Sequence, residues 1–379
     1  MFGNYNQSLN KEYEIPENFL DSCQSLRFSP SNNSSYLLSG GWDCLIRLFN
    51  IGYQVNNRGS DNEYCQFNSN LNYTYKFNNP ILCVDWIMQQ GQLLSANSDG
   101  TVNMIDPQKN QINTLGKHDS ACKEVLFLEK LNIILSGGWD GALNIWDPRQ
   151  NSINSSNNKP ILAYNYPNKI YTIGYKDDLL VVGLSELKVS IFNLAKLNQT
   201  QFVPEINVIS TLKHQTRKIC CSRDNNLYVY ALSGIEGRVS IKYLDLNFPL
   251  TIDNNSNNTK SNNDFAFKCH RQKIGDKNCV FSVNDVKFNP VYKSLMTIGS
   301  DGHYMIWDIK KKEKLGDRYN NESNLNDKTP LICFDYCSNG EIIALSSGYD
   351  WSLGADKAKD YPQNKIILKY LKKEEKSKF

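Results

Sequence analysis

Apolar and polar side chains alternate through ALNIW at residues 142–146, with Leu143 and Ile145 out of phase with Ala142 and Asn144. Period two is the signature of a strand with one buried face. Directly before it stands SGGWDG, where small residues close one strand and Trp-Asp-Gly turns the chain. Asp-Gly supplies the positive φ that a tight hairpin needs. The whole unit, SGGWDGALNIWD at 136–147, has a near twin in SGGWDCLIRLFN at 39–50.

Weaker copies follow when the turn is used as the ruler. SANSDGTVNMID at 95–106 and IGSDGHYMIWD at 298–308 keep Asp-Gly, while VGLSELKVSIFN at 182–193 and SGIEGRVSIKY at 233–243 carry Glu instead. A last copy begins at Ser347 and resumes at 365–371 after a loop. The turn acids fall at 43, 99, 140, 186, 236, 301 and 350, spaced 56, 41, 46, 50, 65 and 49 residues apart. Four-stranded blades of the WD40 type take about 40–45 residues each, and inserts account for the surplus. Seven such units close into an all-β seven-bladed propeller. An edge strand at residues 11–15 is expected to complete the last blade and join the termini.

A length of 379 residues alone admits two or three domains. The repeat overrides that, because blades bury their faces only against neighbours. The expected organisation is a short polar arm over 1–10, one propeller over 11–371 and a charged, solvated tail over 372–379. A net charge of +3, from 42 Lys and Arg against 39 Asp and Glu, is too small to imply nucleic acid by itself. No apolar run approaches the roughly 20 residues of a membrane helix, so no membrane insertion is expected. The 11 cysteines lack paired metal spacing, and several, Cys83, Cys122 and Cys333 among them, fall in strands as small buried thiols. A reducing compartment follows. Four polar, Asn/Ser-rich stretches at 52–72, 151–158, 251–263 and 316–328 hold too little apolar surface to offset ordering entropy, and read as surface inserts.

His118, Ser136, Asp140 and Trp146 invite a hydrolase reading. In this kind of repeat the same four residues form a buried hydrogen-bond network that locks turn to strand. The four histidines have no metal-ligand spacing, and neither a phosphate loop nor a GxSxG motif occurs. No cofactor is expected, and binding is favoured over catalysis.

Charge and aromatics gather in two places. Arg238 begins a strand beside a turn Gly, and Lys268 and Arg271 border the next connection after Phe265 and Phe267. Neighbouring blades would bring the three cations to one face, suited to bidentate capture of carboxylates; the alternative is scattered solvated charge. Trp307 leads into Lys310, Lys311, Lys312 and Lys314, a turn that is either merely solvated or, beside aromatics, able to hold single-stranded RNA.

SGIEGRVSIKYLD, FAFKCHR, the KHQTRK run and VNDVKFNPVYKSLMTIGSDGHYMIWD resemble the branch of WD40 propellers that holds the nuclear-pore mRNA export factors and their spindle-checkpoint relatives. The likeness runs from about residue 22 to 370. The ending SSGYDWSLG, followed by YPQNKIIL, looks more like the export side. The resemblance implies an adaptor, monomeric within a heteromeric complex, in the nucleus, at the nuclear pore and also in the cytoplasm. It implies an acidic helical segment of a Phe-Gly nucleoporin bound by Arg238, Lys268 and Arg271, with apolar contact from Trp42, where packing is the competing role. It further implies a nucleic-acid edge at Phe267, Trp307, Asp308, Lys312 and Lys314, although Trp307 also occupies the repeat's structural aromatic position.

The chain departs from that pattern in places. Blade 2 ends in Met104-Ile105-Asp106 without the aromatic, blade 4 lacks the turn Gly, and the Phe-Gly arm is reduced to Met1-Phe2-Gly3. Alternatives are a checkpoint adaptor binding the equivalent segment of checkpoint kinases, a generic scaffold, and a propeller hydrolase, which fails if Ser136 is buried.

Overall fold

A computed structural model describes residues 12–30, 35–57, 63–87, 91–149, 159–197, 202–245, 263–319, 329–361, 363–372 and 375–376. Among them lie seven four-stranded antiparallel sheets, the blades of a propeller. In each blade the inner strand is a, followed outward by b, c and d. The a strands run Cys23–Phe28, Ile81–Ile87, Cys122–Leu128, Ile170–Lys176, Thr216–Asp224, Val283–Phe288 and Leu331–Tyr336. Each contacts the next around the axis, and the last contacts the first.

Seven hydrophobic clusters, one between each pair of neighbouring blades, hold the ring. Blade 1 gives Leu38, Ile46 and Leu48 to the seam with blade 2, while its other face gives Leu26, Leu37 and Phe49 to the seam with blade 7. Period-two alternation therefore feeds two cores rather than one core and solvent, which ties every blade to both neighbours.

Closure comes from the N-terminal strand Glu12–Glu14, which pairs as strand d with Lys365–Tyr370 of blade 7. Its lock is Lys369, whose side chain is 2 % exposed, with Nζ 3.2 Å from Glu12 Oε1 and 4.8 Å from the Tyr304 ring centroid.

Two expectations need correction. Residues 52–72 are mostly strand: c (Leu45–Asn57) and d (Glu63–Lys76) of blade 1 continue as one long hairpin. Tertiary contacts stabilise what composition disfavoured: Tyr13 bonds Ser69 and lies against Phe67, and Tyr53 Oη accepts from Asn339. The segment after 371 is not simply solvated. Glu375 is buried, accepting hydrogen bonds from Tyr304 Oη at 3.1 Å and the Lys372 amide at 2.8 Å. The arm over 1–10, the stretch 151–158, residues 251–262 and residues 320–328 lie outside the described residues, while 316–319 continue strand d of blade 6 (Glu313–Tyr319).

Candidate docking face and nucleic-acid edge

The b–c turns and d–a connections emerge at the same end of every blade, so they make one face of the disc. Blade 3 shows how the face is fixed. Trp146 donates its indole N–H to Ser136 Oγ at 2.8 Å. The Ser136 hydroxyl proton therefore points to His118 Nε2, 2.8 Å away, and His118 carries its own proton on Nδ1, 3.1 Å from Asp140. Asp140 also accepts from the amides of Asp119 and Ala142. Burial keeps His118 below the ordinary histidine range, with Asp140 opposing that shift. Ser136 is 0 % exposed, so it cannot meet a substrate, and the hydrolase reading of these residues fails on that burial.

Blade 6 carries a second lock that the sequence did not disclose. His270 bonds Asp301 at 2.8 Å and Thr297 Oγ1 at 3.0 Å, and Trp307 donates to the same Thr297 oxygen at 3.2 Å. A two-stranded hairpin, Arg271–Ile274 with Lys277–Val280, is inserted between His270 and the inner strand. That insertion stretches the His-to-Asp spacing and hides the motif. Thr297 standing for Ser was the remaining signal.

Positive φ at the turns follows the sequence only in part. Gly100, Gly141, Gly237 and Gly302 adopt it, but where blades 1 and 4 lack the glycine, Cys44 (φ 63°), Glu186 (59°) and Leu187 (62°) adopt it instead. Gly237 has no such latitude. A Cβ there would sit 2.7 Å from the Cys269 carbonyl oxygen and 3.0 Å from Val280 Cγ1.

Around Gly237 the three expected cations meet. Arg238 opens strand c of blade 5 (Arg238–Leu244) and is the direct cross-strand partner of Lys268, the last residue of strand d (Phe265–Lys268). Arg271 reaches back from the hairpin, donating to the Glu236 carbonyl at 2.8 Å and the Gly237 carbonyl at 3.4 Å. The Arg238 side chain is 38 % exposed, with Nε 3.7 Å from a Glu236 carboxylate oxygen. Lys268 and Arg271 are exposed. The cations are thus gathered on one face and not sequestered in an internal ion pair. Trp42 lies on the same face at the b–c turn of blade 1, 39 % exposed, donating to Gln24 Oε1 at 3.1 Å.

The proposed nucleic-acid residues divide. Phe267 and Trp307 are half-buried in the seam between blades 5 and 6, ring centroids 4.5 Å apart. Lys312 Nζ lies 4.8 Å from the neighbouring Phe265 ring, and Lys314 is the cross-strand partner of Trp307. Asp308 departs from expectation: it is buried and caps the following turn by accepting from the amides of Lys310 and Lys311, both at 3.0 Å. Trp307's N–H is likewise committed to the blade 6 lock, so only its ring is available.

Seven blades with His–Ser/Thr–Asp–Trp locks in two of them define a WD-repeat β-propeller. The family described as "WD domain, G-beta repeat" matches residues 19–50 and 109–147. The chain is 31 % identical over 378 residues to the mRNA export factor of Bos taurus, covering 97 % of this chain and 92 % of that one. It is 27 % identical to the poly(A)+ RNA export protein of Schizosaccharomyces pombe, covering 95 % and 90 %. It is 30 % identical to the spindle assembly checkpoint protein bub3 of the same yeast, covering 89 % and 92 %. The chain belongs to the mRNA export factor family of WD-repeat propellers.

Proposed function

We propose that this protein is a non-enzymatic adaptor in mRNA export at the nuclear pore complex, residing in the nucleus and also in the cytoplasm. It docks an acidic helical segment of a Phe-Gly nucleoporin on the face bearing Arg238, Lys268 and Arg271, with apolar contact from Trp42. Single-stranded RNA binds more weakly along Phe267, Trp307, Lys312 and Lys314. The observation carrying this reading is the Arg238–Lys268 pair. Like charges directly opposite on adjacent strands destabilise a sheet, and carboxylates between them turn that repulsion into charge-assisted hydrogen bonds.

Arg238→Glu tests it by affinity purification. The reading expects the nucleoporin to be lost from the purified complex while the propeller stays folded. Undiminished co-purification would refute the docking site.

The 30 % identity to a checkpoint protein favours a second reading, in which the same face takes the equivalent segment of a checkpoint kinase. Recruitment to kinetochores, together with a normal poly(A) RNA distribution after depletion, would select it over export.

A further inference from the structure

Strand d is the outermost strand of every blade, and an outermost strand leaves one row of backbone N–H and C=O groups without a partner strand. Seven such edges ring the disc among the described residues. Six are short: Gln111–Lys117, Leu162–Asn165, Ile206–Ile209, Phe265–Lys268, Glu313–Tyr319 and Glu12–Glu14, none longer than 7 residues. Strand d of blade 1, Glu63–Lys76, has 14.

Shortness is one protection against pairing between chains, and charge is another. The two 7-residue edges carry charge: Lys117 closes the first, and Glu313, Lys314, Asp317 and Arg318 lie in the second. From Cys65 to Tyr75 the blade 1 edge has no charged residue, no proline and no glycine. Its one irregularity is a bulge at Asn72, where Tyr73 pairs with Leu48 and Leu71 with Phe49. Before that bulge the pairing with strand c runs unbroken from Glu63 to Leu71.

The edge is also open. Asn68 and every residue from Asn70 to Thr74 are exposed, Leu71 and Tyr73 at 42 % each. Tyr13 touches Phe67 and Ser69 through side chains alone, and its own strand pairs with blade 7 instead of this edge.

We propose that the blade 1 edge pairs with the same edge of a second copy of this chain, forming a reversible dimer. Two identical strands can pair only where neither sets like charges against the other. Among the described residues this is the one long edge that meets the condition. Self-pairing about a two-fold axis makes the strands antiparallel, and centring it in the unbroken run brings Asn68 and Asn70 of one copy against the same stretch of its partner. At about 3.4 Å per residue and about 10 Å of sheet thickness, residues 63–71 offer a footprint of roughly 300 Å² on each copy. That is less than a permanent dimer needs, so the association is weak and depends on concentration.

Strand d ends at the docking face in every blade, so antiparallel pairing turns the two docking faces to opposite sides. The dimer then bridges two partner molecules, whereas faces turned the same way would grip one partner twice. Blades 5 and 6 are not neighbours of blade 1 and keep their rim free. The dimer goes beyond the docking proposal and does not depend on it.

Sedimentation velocity on the full-length protein reads the association, under reducing conditions because the chain holds 11 cysteines. The average mass is expected to rise from one chain towards two between about 1 and about 100 μM. Asn68→Lys combined with Asn70→Lys should weaken the dimer about tenfold or more by setting like charges across the strands, and so should Asn68→Asp combined with Asn70→Asp. Mixing the two double variants should restore association, since lysine then faces aspartate. Both positions are exposed, so circular dichroism should show each variant folded like wild type. Ile209→Lys, at a position 64 % exposed at the end of the blade 4 edge, should leave association unchanged. Three results would overturn the dimer: a monomer at every concentration, association undiminished in both double variants, or a mixture that associates no better than either variant alone.

Discussion

Arg238 and Lys268 stand directly opposite each other at the rim of blade 5, one opening strand c and the other closing strand d. A propeller blade gains nothing from two cations in that relation, so the pair separates binding from stability. Lys268→Glu replaces a repulsive pair with an attractive one and should raise stability by about 0.2–1 kcal/mol. Binding of an acidic segment should be lost in the same variant. Chemical denaturation with a pull-down on one preparation checks both.

His118 belongs to the opposite case, a residue needed for the fold. His118→Ala leaves Ser136 without its acceptor and Asp140 without its imidazole donor, and should cost about 1–3 kcal/mol. Acidic-segment affinity of the folded fraction should be little changed. An unaltered melting temperature would contradict the role of the lock.

The same residue gives a pH dependence. Because His118 in the fold has a pKa below the ordinary value of about 6.5, the native state binds protons less readily than the unfolded chain. Its contribution is complete above the ordinary value and is lost as pH falls through and below it. Urea denaturation at pH 7.5 and pH 5.5 should show wild type losing more stability on acidification than His118→Asn.

Cys44 holds φ 63° at the position where the twin repeat has Gly141. Left-handed backbone costs a side-chain-bearing residue roughly 1–2 kcal/mol. Cys44→Gly should therefore raise stability by about 1 kcal/mol, measured as a shift in denaturation midpoint.

The ring closure is open to a direct test. Glu12→Gln leaves Lys369 buried beside Tyr304 with its ion pair removed, which should cost about 1–3 kcal/mol. Protease should then cut the N-terminal strand faster than in wild type.

Much of this was legible in the chain. The turn acids and period-two strands are local signals, and they marked all seven blades, because each turn and each alternation is written within a dozen residues. Residues 52–72 were misread for the converse reason. Their strands are held by Tyr13 and Asn339, distant in sequence, and composition has no access to such partners. Asp308 was misassigned because a turn-capping carboxylate and a surface carboxylate have the same letter.

The sequence by itself determined how many blades there are, where each turns and which faces are apolar, since those follow from backbone sterics and the strand period. Only the tertiary structure decided that Arg238 faces Lys268 across an insert and that Glu375 is buried. Those relations depend on strand register and ring closure, and register is settled by the packing of whole blades against one another rather than by any residue's immediate neighbours.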